Sequence, residues 1–488
     1  MLGGRCCSAP RSTVQAAVMG CHLPMAIFLA CLGGMAANKD VSPAADGLAE
    51  VTNTLVQRKI DVSTQFAKVV TTYTVSGASG AYQFALPTKD HDQLAFLSVS
   101  MDKRELEFIE LGASSKSASA GMVLYSAAVG KLDDGAKIAV KAVYTDVLSP
   151  FPKEITQLED QSVLFESTLF APSPYKTAKQ TTMLKLASPK ILSMTEAPGK
   201  RAVKGEQVTY GTFEDVPPLA DGGELRLHYV NHAAFAKVTS CLREIEVSNW
   251  GNIAVEEHYD LVHAGAKLKG GFSRMDYMAS KHADAPNPSF RKLDALLPAG
   301  ASDIYYRDNI GNVSTSTVRH SLGGVELSLL SRFPMYGGWK NAWYQGYNLP
   351  TEVGLRHSGS HFTLEMPFGP PFSSVWVEDL TVKVILPEGA HNVVALPPFE
   401  GVSEGRTERF TFLDTTGSGR PVVILKMKNV VKEHNVMFKV TYDFNRARML
   451  VEPLLLAGFF LACFLAAMVA GRVDMRIRRG AGTVATKG

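Results

Sequence analysis

The chain has 488 residues, of which 46% are hydrophobic and 20% are charged, with a formal net charge of +3 at pH 7. The charges nearly balance and form no basic block in the central part of the chain, so we expect no nucleic-acid partner. At roughly 150 residues per domain, this length predicts two or three domains.

The amino end has the organisation of a secretory signal peptide. Arg5 and Arg11 precede an apolar run at 24–32, and small residues follow that run. We predict a signal peptide over 1–37, with cleavage beside one of its last two alanines. An uncleaved signal anchor is the alternative, although the apolar run is short for a membrane span.

Cysteine usage argues against a disulfide framework. Of six cysteines, four lie in the predicted signal peptide, Cys463 lies in a C-terminal apolar run, and Cys241 alone lies between them. A single cysteine forms no intramolecular disulfide. About 410 residues bury a core that is large enough to fold without one.

The central region shows the period-two alternation of β-strands. Its clearest examples are 69–75, 138–144, 225–229, 325–329, 380–384 and 436–442. Turn residues separate them, as at 133–135 and 387–389. Many short strands separated by turns predict a mainly β fold of antiparallel sandwiches. No internal repeat at a fixed period is visible.

Composition places one boundary within this region. Residues 198–223 are rich in proline and glycine and show little alternation, which is typical of a linker or a long crossover. We therefore predict one β-sandwich-like domain over 38–197 and a second over 224–448. The polar, proline-flanked residues 279–287 are predicted to form a mobile loop inside the second domain.

Two short motifs resemble catalytic or metal-binding signatures. Residues 401–405 spell G-x-S-x-G, but a nucleophile elbow needs a strand before the serine and a helix after it. Prolines precede this motif and strand-like residues follow it, so we predict a surface turn around Ser403. Asp90-His91-Asp92 matches a D-x-D metal motif in a predicted loop, and it is too short to indicate a site.

His258 and His263, beside Glu256 and Glu257, come nearest to a metal cluster. A helical zinc motif places its histidines four residues apart with a glutamate between them. These two lie five apart in strand-like alternation, where residues an odd number apart face opposite sides. We predict solvated or locally hydrogen-bonded histidines, and no metal or other cofactor.

Asn312 opens an Asn-Val-Ser sequon, whereas the sequon at Asn287 is blocked by its proline. We predict that Asn312 carries an N-glycan. The aromatic-rich run at 333–347 has two interpretations. Its rings stack on a sugar or a partner surface, or they fill the seam between loops and a sheet; we favour the seam.

The apolar run at 454–470 contains no charge over seventeen residues. This is the short end of what spans a bilayer core of roughly 30 Å, so we predict a transmembrane helix over 453–471. The arginines of the predicted tail, 472–488, are Arg472, Arg476, Arg478 and Arg479. Arginines directly beyond a span mark the cytoplasmic side, which places both β domains in the lumen.

Small residues recur along one side of the predicted span. Ala462, Ala466 and Ala470 lie four residues apart and therefore share one helical face. Such a face lets a neighbouring transmembrane helix approach closely, so it is a candidate packing surface. The alternative is that these alanines face lipid.

Several long stretches resemble the ribophorin I family. They include REIEVSNWGNIAVEEHYDLVHAGAKLKGGFSRMDY (243–277), SRFPMYGGWKNAWYQGYNLP (331–350) and VYTDVLSPFPKEITQLEDQSVLFE (143–166). The resemblance implies a non-catalytic, single-span subunit of the oligosaccharyltransferase complex in the endoplasmic reticulum membrane. That complex transfers a preassembled oligosaccharide from dolichol pyrophosphate to Asn in Asn-x-Ser/Thr. The implied partners are the other subunits, including a multi-spanning catalytic one, and nascent polypeptides; contact with the translocon is left open.

The residues themselves also favour a non-catalytic role. A polyprenyl donor is held at membrane depth by several spans, and this sequence predicts one. A pyrophosphate calls for a divalent metal held by carboxylates, and only Asp443 and Glu452 lie near the span in sequence. Animal family members continue after the span with a long helical segment, whereas this sequence ends at Gly488, so a ribosome-contacting role tied to that segment is not carried over, and ribosome contact by other means is left open. The rival hypotheses are a receptor-like binding ectodomain and a membrane-tethered hydrolase.

Overall fold

The computed structural model describes residues 51–472, apart from 78–79, 103, 113–120, 131–133, 197–198, 200, 221–222, 249, 283–286, 412–413 and 415–418. The predicted signal peptide lies outside the described residues, as do Arg476, Arg478 and Arg479. The prediction of a mainly β protein with one C-terminal apolar helix is confirmed, since 59% of the chain is strand and 12% helical.

The strands before residue 231 build three sheets, apart from one short strand that pairs with a short strand of the second half. They are β1 (Thr52–Asp61), β2 (Ala67–Ser76), β3 (Ala81–Pro87), β4 (Leu94–Met101), β5 (Arg104–Leu106), β6 (Phe108–Gly112), β7 (Met122–Ala128), β8 (Ala136–Tyr144), β9 (Leu148–Pro150), β10 (Glu154–Ile155), β11 (Ser162–Thr168), β12 (Thr177–Lys185), β13 (Ile191–Met194), β14 (Arg201–Lys204), β15 (Gln207–Val216) and β16 (Glu224–Val230). An eight-stranded sheet has the order β14-β15-β12-β1-β2-β8-β4-β5, a three-stranded one β3-β7-β6, and a four-stranded one β13-β16-β11-β9.

The remaining strands build three more sheets. They are β17 (Ala236–Ser248), β18 (Asn252–His263), β19 (Lys267–Leu268), β20 (Phe290–Leu297), β21 (Ser302–Asp308), β22 (Gly311–Asn312), β23 (Thr317–Ser321), β24 (Gly324–Met335), β25 (Lys340–Pro350), β26 (Leu355–Ser358), β27 (His361–Pro367), β28 (Val375–Ile385), β29 (His391–Leu396), β30 (Ser403–Arg409), β31 (Arg420–Val430) and β32 (Met437–Asp443). Their orders are β22-β21-β25-β18-β17-β28-β31-β30, β20-β24-β23 and β26-β27-β32-β29.

The helices are few. They are α1 (Arg274–His282), α2 (Thr351–Gly354) and α3 (Val451–Arg472), with 3-10 turns at Thr88–Gln93, Lys432–His434 and Arg446–Leu450. Part of the segment predicted to be a mobile loop, 279–287, is therefore helical, because α1 extends to His282. None of the α1 residues is buried, so the helix lies on the surface.

The two halves repeat one topology. From its β30 edge, the second eight-stranded sheet runs β30-β31-β28-β17-β18-β25-β21-β22, and these strands take the places of β14-β15-β12-β1-β2-β8-β4-β5 in chain order. The three-stranded and four-stranded sheets correspond in the same way. The pairs β1–β12 and β17–β28 are the parallel ones in both large sheets. Strands β10 and β19 have no equivalents, and they pair with each other.

A buried arginine marks the equivalent strand in each half. Arg58 on β1 and Arg243 on β17 are 4% and 1% exposed. The guanidinium of Arg58 donates to the carbonyls of Thr168 and Phe170, at the end of β11. That of Arg243 donates to the carbonyl of Gly369, just after the equivalent strand β27. Such agreement in contact as well as in strand order indicates an internal duplication, although no fixed-period repeat is visible in the sequence.

Each large sheet is covered by its two smaller sheets. The apolar side chains that alternate along the strands form the core between them. In β2, for example, Val69, Thr71, Tyr73 and Val75 point inward while Thr72 and Thr74 are partly exposed. One core cluster joins the first large sheet to β11 and β16, and a second joins it to β3 and β7. A single larger cluster fills the second half. All six stretches predicted from alternation lie on strands, apart from Val436 at the start of the last one.

The linker predicted at 198–223 is wrong, because this segment contributes β14 and β15 to the first large sheet. A register shift opposite Gln180 and Thr182 interrupts the pairing of β12 with β15. Val208, Tyr210 and Phe213 are buried, at spacings of two and then three residues. The irregular spacing hides the strand from a search for strict alternation. The first half ends with β16, and β17 opens the second.

The halves pack against each other at one end of the large sheets. Phe66 and Val143 of the first half form a small buried cluster with Trp376 and Val431 of the second. Polar contacts add to it: the Thr145 hydroxyl donates to the Asn429 side chain at 2.6 Å, and the Lys68 ammonium lies 3.1 Å from the Glu433 carboxylate.

Candidate functional site

The described residues contain one helix that is long and apolar enough to cross a membrane. Helix α3 has 22 residues, none of them buried. At 1.5 Å per residue it is about 33 Å long, which matches a bilayer core of roughly 30 Å. It extends the predicted span at both ends, to Val451 and Arg472. The helix follows the last strand of the second half, β32, just as β17 follows the last strand of the first half, β16.

A short folded junction joins α3 to the last strand. The Phe444 amide donates to the Ser360 carbonyl at 2.9 Å, which holds the chain on the four-stranded sheet as it leaves β32. The Asn445 side chain then caps the 3-10 turn by accepting from the Ala447 amide at 3.0 Å. The Arg446 guanidinium donates to the His357 ring at 2.7 Å. Because every step of the junction is hydrogen-bonded, we expect the span to be firmly attached to the β body.

A juxtamembrane cleft of about 470 Å³ opens beside this junction. It is lined by Glu246, Val247, Ser248, Trp250, Pro387, Glu388, Thr411, Asp414, Arg420, Phe444, Arg448, Met449, Val451 and Glu452. Gly389 shapes one wall, because its φ of +82° disfavours other residues and a Cβ there would lie 2.4 Å from the Arg448 guanidinium. Trp250 is 64% exposed at the rim. The cleft combines an exposed aromatic ring with charges of both signs.

Three carboxylates meet in this cleft. One oxygen each of Glu388, Asp414 and Glu452 lies within 4.8 Å of the others. Counting carboxylates along the sequence near the span found Glu452 but missed Glu388 and Asp414, because the fold brings them in from distant turns. Asp414 already accepts hydrogen bonds from the Thr411 amide and hydroxyl. Exposed acidic groups often lie this close without an ion, so we assign no metal.

The predicted packing face lies wholly on α3. Ala462, Ala466 and Ala470 occupy consecutive turns of one side of the helix. Their side chains are exposed along with the rest of α3. Arg472, the first arginine of the predicted basic flank, is the last residue of the helix. The assignment of this face to subunit packing stays a prediction.

The histidines near Glu256 and Glu257 do not form a metal cluster. His258 and His263 face opposite sides of β18, as predicted: His258 is partly exposed and pairs with Glu256 at 2.8 Å. His263 is buried, with its Nδ1 accepting from the Gly265 amide and its Nε2 donating to the Pro288 carbonyl. Burial lowers the pKa of His263 to about 4.

The two short motifs also lie outside any catalytic arrangement of described residues. Ser403 is exposed and opens β30, the edge strand of the second large sheet, so a strand follows the serine where an elbow requires a helix. The Asp90-His91-Asp92 motif lies in the 3-10 turn at Thr88–Gln93. The ring of His91 hydrogen-bonds the Tyr125 hydroxyl at 3.1 Å.

Most of the aromatic run at 333–347 fills the core, as favoured above. Tyr336, Trp343 and Tyr347 are buried, and Phe333 and Trp339 pack against the main cluster of the second half. Tyr344 differs, because it lies on the solvent face of β25 with its ring stacked on His258.

Asn312 lies on the short strand β22, at the other edge of the same sheet. It is exposed, and its backbone carbonyl accepts from the Arg332 guanidinium at 2.9 Å. The predicted glycosylation position is therefore accessible on an ordered hairpin. Occupancy by a glycan stays a prediction.

These features define a mainly β protein with two topologically equivalent halves and a C-terminal helix of membrane-spanning length. The sequence profile of the Ribophorin I family matches residues 51–471, from the start of the first half through α3. The chain belongs to the ribophorin I family.

Relatives agree with this assignment. The chain is 37% identical over 432 residues to dolichyl-diphosphooligosaccharide–protein glycosyltransferase subunit 1 of Caenorhabditis elegans, covering 86% of this chain and 72% of the relative. It is 37% identical over 443 residues to subunit 1A of Arabidopsis thaliana, covering 87% and 70%. It is 35% identical over 428 residues to subunit 1B of Oryza sativa subsp. japonica, covering 83% and 89%.

Solved structures resemble the chain only slightly. Yeast LTA4 hydrolase in complex with bestatin matches with a TM-score of 0.26 and 10% identity, over 40% of this chain and 31% of that one. A likeness of this size supports no argument about fold or activity.

Proposed function

We propose that this chain is a non-catalytic subunit of an oligosaccharyltransferase complex of the endoplasmic reticulum membrane. In the proposed arrangement α3 is its single span, the β body lies in the lumen, and the arginines from Arg472 onward lie in the cytosol. The complex moves a preassembled oligosaccharide from dolichol pyrophosphate to Asn in Asn-x-Ser/Thr of nascent chains. The proposed partners are the other subunits, including a multi-spanning catalytic one, and nascent polypeptides.

The observation that carries this proposal is the extent of the family match. It runs from residue 51 to residue 471, so it takes in both halves and the membrane helix. The relatives are named as subunit 1 of a dolichyl-diphosphooligosaccharide–protein glycosyltransferase. A match to the β body alone would support only a shared lumenal domain. A match that includes the span supports the same placement in a membrane complex.

The positions of the candidate motifs support a non-catalytic role. Ser403 stands on an edge strand, and His258 and His263 face opposite sides of β18. A polyprenyl donor reacts at membrane depth, where a site is built from several helices, and the described chain offers one candidate span. The carboxylates of Glu388, Asp414 and Glu452 are exposed or partly exposed, and acidic groups of this kind are common without an ion. We therefore assign the transfer chemistry to another subunit.

The junction and the juxtamembrane cleft suggest how such a subunit acts. The hydrogen bonds of Phe444, Asn445 and Arg446 hold the β body to the 3-10 turn that directly precedes α3. A body attached in this way stays against the membrane surface, where it stabilises neighbouring subunits and presents substrates. The cleft around Trp250 is the lumenal surface nearest the span and is the proposed contact region, together with α3 itself.

The test is purification of the tagged full-length chain from membranes solubilised in a mild detergent. We expect a multi-spanning subunit to copurify, together with oligosaccharyl transfer to an acceptor peptide. Ser403→Ala serves as a control variant and should leave the transfer activity unchanged. Arrival at the cell surface with complex-type glycans would support the receptor-like hypothesis instead. Loss of activity in a fully assembled Ser403→Ala complex would contradict the non-catalytic role.

A further inference from the structure

The solvent face of the second large sheet carries a compact group of rings. The His258 ring stacks on Tyr344, with 5.4 Å between centroids and 20° between planes. Tyr305 stands edge-on to Tyr344 at 6.2 Å. We name Tyr305, Tyr344, His258 and Glu256 the ring platform. Rings on a sheet surface that do not enter the core present faces suited to stacking on a ligand.

Strand pairing builds this platform. Tyr344 on β25 is directly opposite His258 on β18 and opposite Arg307 on β21, so the three side chains form one row across the sheet. Gly346 lies beneath Tyr305, and a Cβ at that glycine would come within 2.3 Å of the tyrosine ring. The glycine therefore lets the Tyr305 ring lie close against the sheet.

Glu256 fixes the orientation of two of the rings. One carboxylate oxygen accepts from the Tyr305 hydroxyl at 2.5 Å, and the other pairs with His258 Nε2 at 2.8 Å. The platform is consequently ordered before any ligand arrives, which lowers the entropic cost of binding.

Arg307 connects this platform to the sequon. Its Nε donates to Asn312 Oδ1 at 2.5 Å, and its Nη1 donates to the Tyr344 hydroxyl at 3.4 Å. A guanidinium has no acceptor, so the oxygen of the Asn312 amide must face it and Nδ2 must face away. Nδ2 is the atom that carries an N-linked sugar. The Arg307 guanidinium thus bridges the Asn312 side chain and the Tyr344 hydroxyl, with the attachment atom left free on the outer side of the amide.

The hairpin that presents Asn312 is itself held in place. Arg332 donates to the carbonyls of Gly311 and Asn312 at 3.1 and 2.9 Å and forms an ion pair with Asp308. The Asp308 carboxylate also accepts from the amides of Ile310 and Gly311. These contacts fix the direction in which a sugar on Asn312 leaves the backbone.

We propose that the ring platform binds the first sugars of an N-glycan carried by Asn312. The apolar faces of the sugar rings pack on Tyr344 and Tyr305, and their hydroxyls meet Glu256 and Arg307. This inference rests on the proposed function, because a glycan requires that the β body lies in the lumen. Strands β21 and β22 form the edge of the sheet, and a glycan folded back over them shields that edge from pairing with another chain.

The experiment measures how fast an endoglycosidase removes the glycan from the native, full-length chain in detergent. In Tyr344→Ala the release should be about fivefold faster than in the wild type, the factor that the loss of one stacking contact supplies. Tyr344→Phe keeps the ring and should behave as the wild type does. Tyr344→Leu keeps the bulk without the ring and should behave as Tyr344→Ala does.

A glycan elsewhere on the same half provides the matched control. In Asn312→Gln combined with Arg319→Asn, an Asn-His-Ser sequon stands on β23, whose residues are all exposed. Adding Tyr344→Ala to this variant should leave the release rate unchanged. If a ring substitution loosens the fold, both glycans are released faster. The test is therefore the ratio of the acceleration at Asn312 to the acceleration at the sequon on β23.

Equal release rates from the wild type and Tyr344→Ala, or equal acceleration at both sequons, would overturn the ring platform while leaving the proposed function intact. A wild-type chain without a glycan on Asn312 would overturn the platform together with the lumenal placement. The two failures are therefore distinguishable by measuring occupancy first.

Discussion

The guanidinium of Arg243 lies 3.2 Å from the carboxylate of Glu257 on the adjacent strand, and both side chains are almost wholly buried. Glu257 also accepts from the Tyr259 hydroxyl and the Gln345 amide, each at 2.8 Å. Arg243 reaches across to the Gly369 carbonyl. The network joins β17, β18 and β25 to the segment after β27. Its position is enclosed, so we assign it to folding rather than to chemistry.

Removing one member of this pair should destabilise the fold strongly. Arg243→Met leaves the Glu257 carboxylate buried and uncompensated, at a cost of about 3–5 kcal/mol. The double variant Arg243→Met with Glu257→Gln should lower the free energy of unfolding by less than the sum of the losses in the two single variants. Denaturant unfolding of the full-length chain in detergent measures all three.

The exposed pair of Lys292 and Asp294, 2.9 Å apart, provides the control for this prediction. Lys292→Met should change stability by no more than about 0.5 kcal/mol, because water screens both charges. Equal losses for Lys292→Met and Arg243→Met would contradict the role assigned to the buried pair.

The contact between the halves should be sensitive to acid through His434. Its ring lies edge-on to Phe96 of the first half, its Nδ1 accepts from the Val431 amide, and it also hydrogen-bonds the backbone of Ala95. Burial lowers the pKa of His434 to about 4, against an opposing effect of the adjacent Glu433 carboxylate. In the unfolded chain the ring takes up a proton near pH 6.5.

Between pH 6.5 and 4 the unfolded state therefore binds more protons than the folded state, so stability is complete above pH 6.5 and falls as the pH drops through this window. His434 accounts for a loss of about 3 kcal/mol, and buried His263 for a similar amount. His434→Asn should reduce the pH dependence of the melting temperature between pH 6.5 and 4. The exposed His320 provides a control, since His320→Asn should leave the slope unchanged. If the melting temperature of His434→Asn depended on pH as strongly as that of the wild type, the role assigned to His434 would be contradicted.

Asn312→Gln should migrate faster on a gel than the wild type, by the shift that corresponds to the mass of one glycan. Asn312 is exposed on an ordered hairpin, and its Nδ2 faces away from Arg307. Glycosidase treatment of the wild type should give the same shift. Asn287→Gln, in the proline-blocked sequon, should leave the mobility unchanged. An unshifted Asn312→Gln band would argue against a lumenal β body.

Local patterning in the sequence was enough to locate strands and the span, but not their long-range partners. Alternation identified β2, β8 and β28, because their buried residues recur at a period of two over 69–75, 138–142 and 380–384. It missed β15, where an irregular spacing of buried residues breaks the period. The duplication is carried by strand order and by the contacts of Arg58 and Arg243, neither of which leaves a fixed sequence period.

The same limit applies to the candidate sites. Asn312 and α3 were predictable because a sequon and an apolar run are contiguous in sequence. The ring platform combines Tyr305, Tyr344 and His258, and the acidic group combines Glu388, Asp414 and Glu452. Each set comes from three separate elements, strands in the first case and two loops and α3 in the second, and only the tertiary fold brings its members together.

Replacing the basic flank should weaken the orientation of the chain without affecting its fold. The residues concerned are Arg472, Arg476, Arg478 and Arg479. Such arginines bias topology and contact anionic headgroups at about 1 kcal/mol each. A protease-protection assay on membranes carrying the fourfold Arg→Ser variant should show a minority of chains with the β body exposed to the cytosol. Uniform protection in that variant would mean that the amino-terminal signal alone sets the topology.

The last prediction concerns the face of α3 that carries Ala462, Ala466 and Ala470. If this face packs against a neighbouring span, leucine at Ala462 and Ala466 removes the close approach that small residues permit. The double variant Ala462→Leu with Ala466→Leu should therefore reduce copurification of the catalytic subunit severalfold, while the β body keeps its melting temperature. Leucine and alanine both favour helix, so α3 itself should form normally.

At 100° per residue, Ala457 lies on the opposite side of α3, which makes Ala457→Leu the matched control. It makes the same alanine-to-leucine change at one position on the other side and should leave copurification unchanged, and Asp92→Asn in the lumenal body should do likewise. A loss of equal size in Ala457→Leu would mean that general bulk rather than one packing face matters. Full copurification in the double variant would place these alanines against lipid and would move the expected subunit contacts to the juxtamembrane cleft around Trp250.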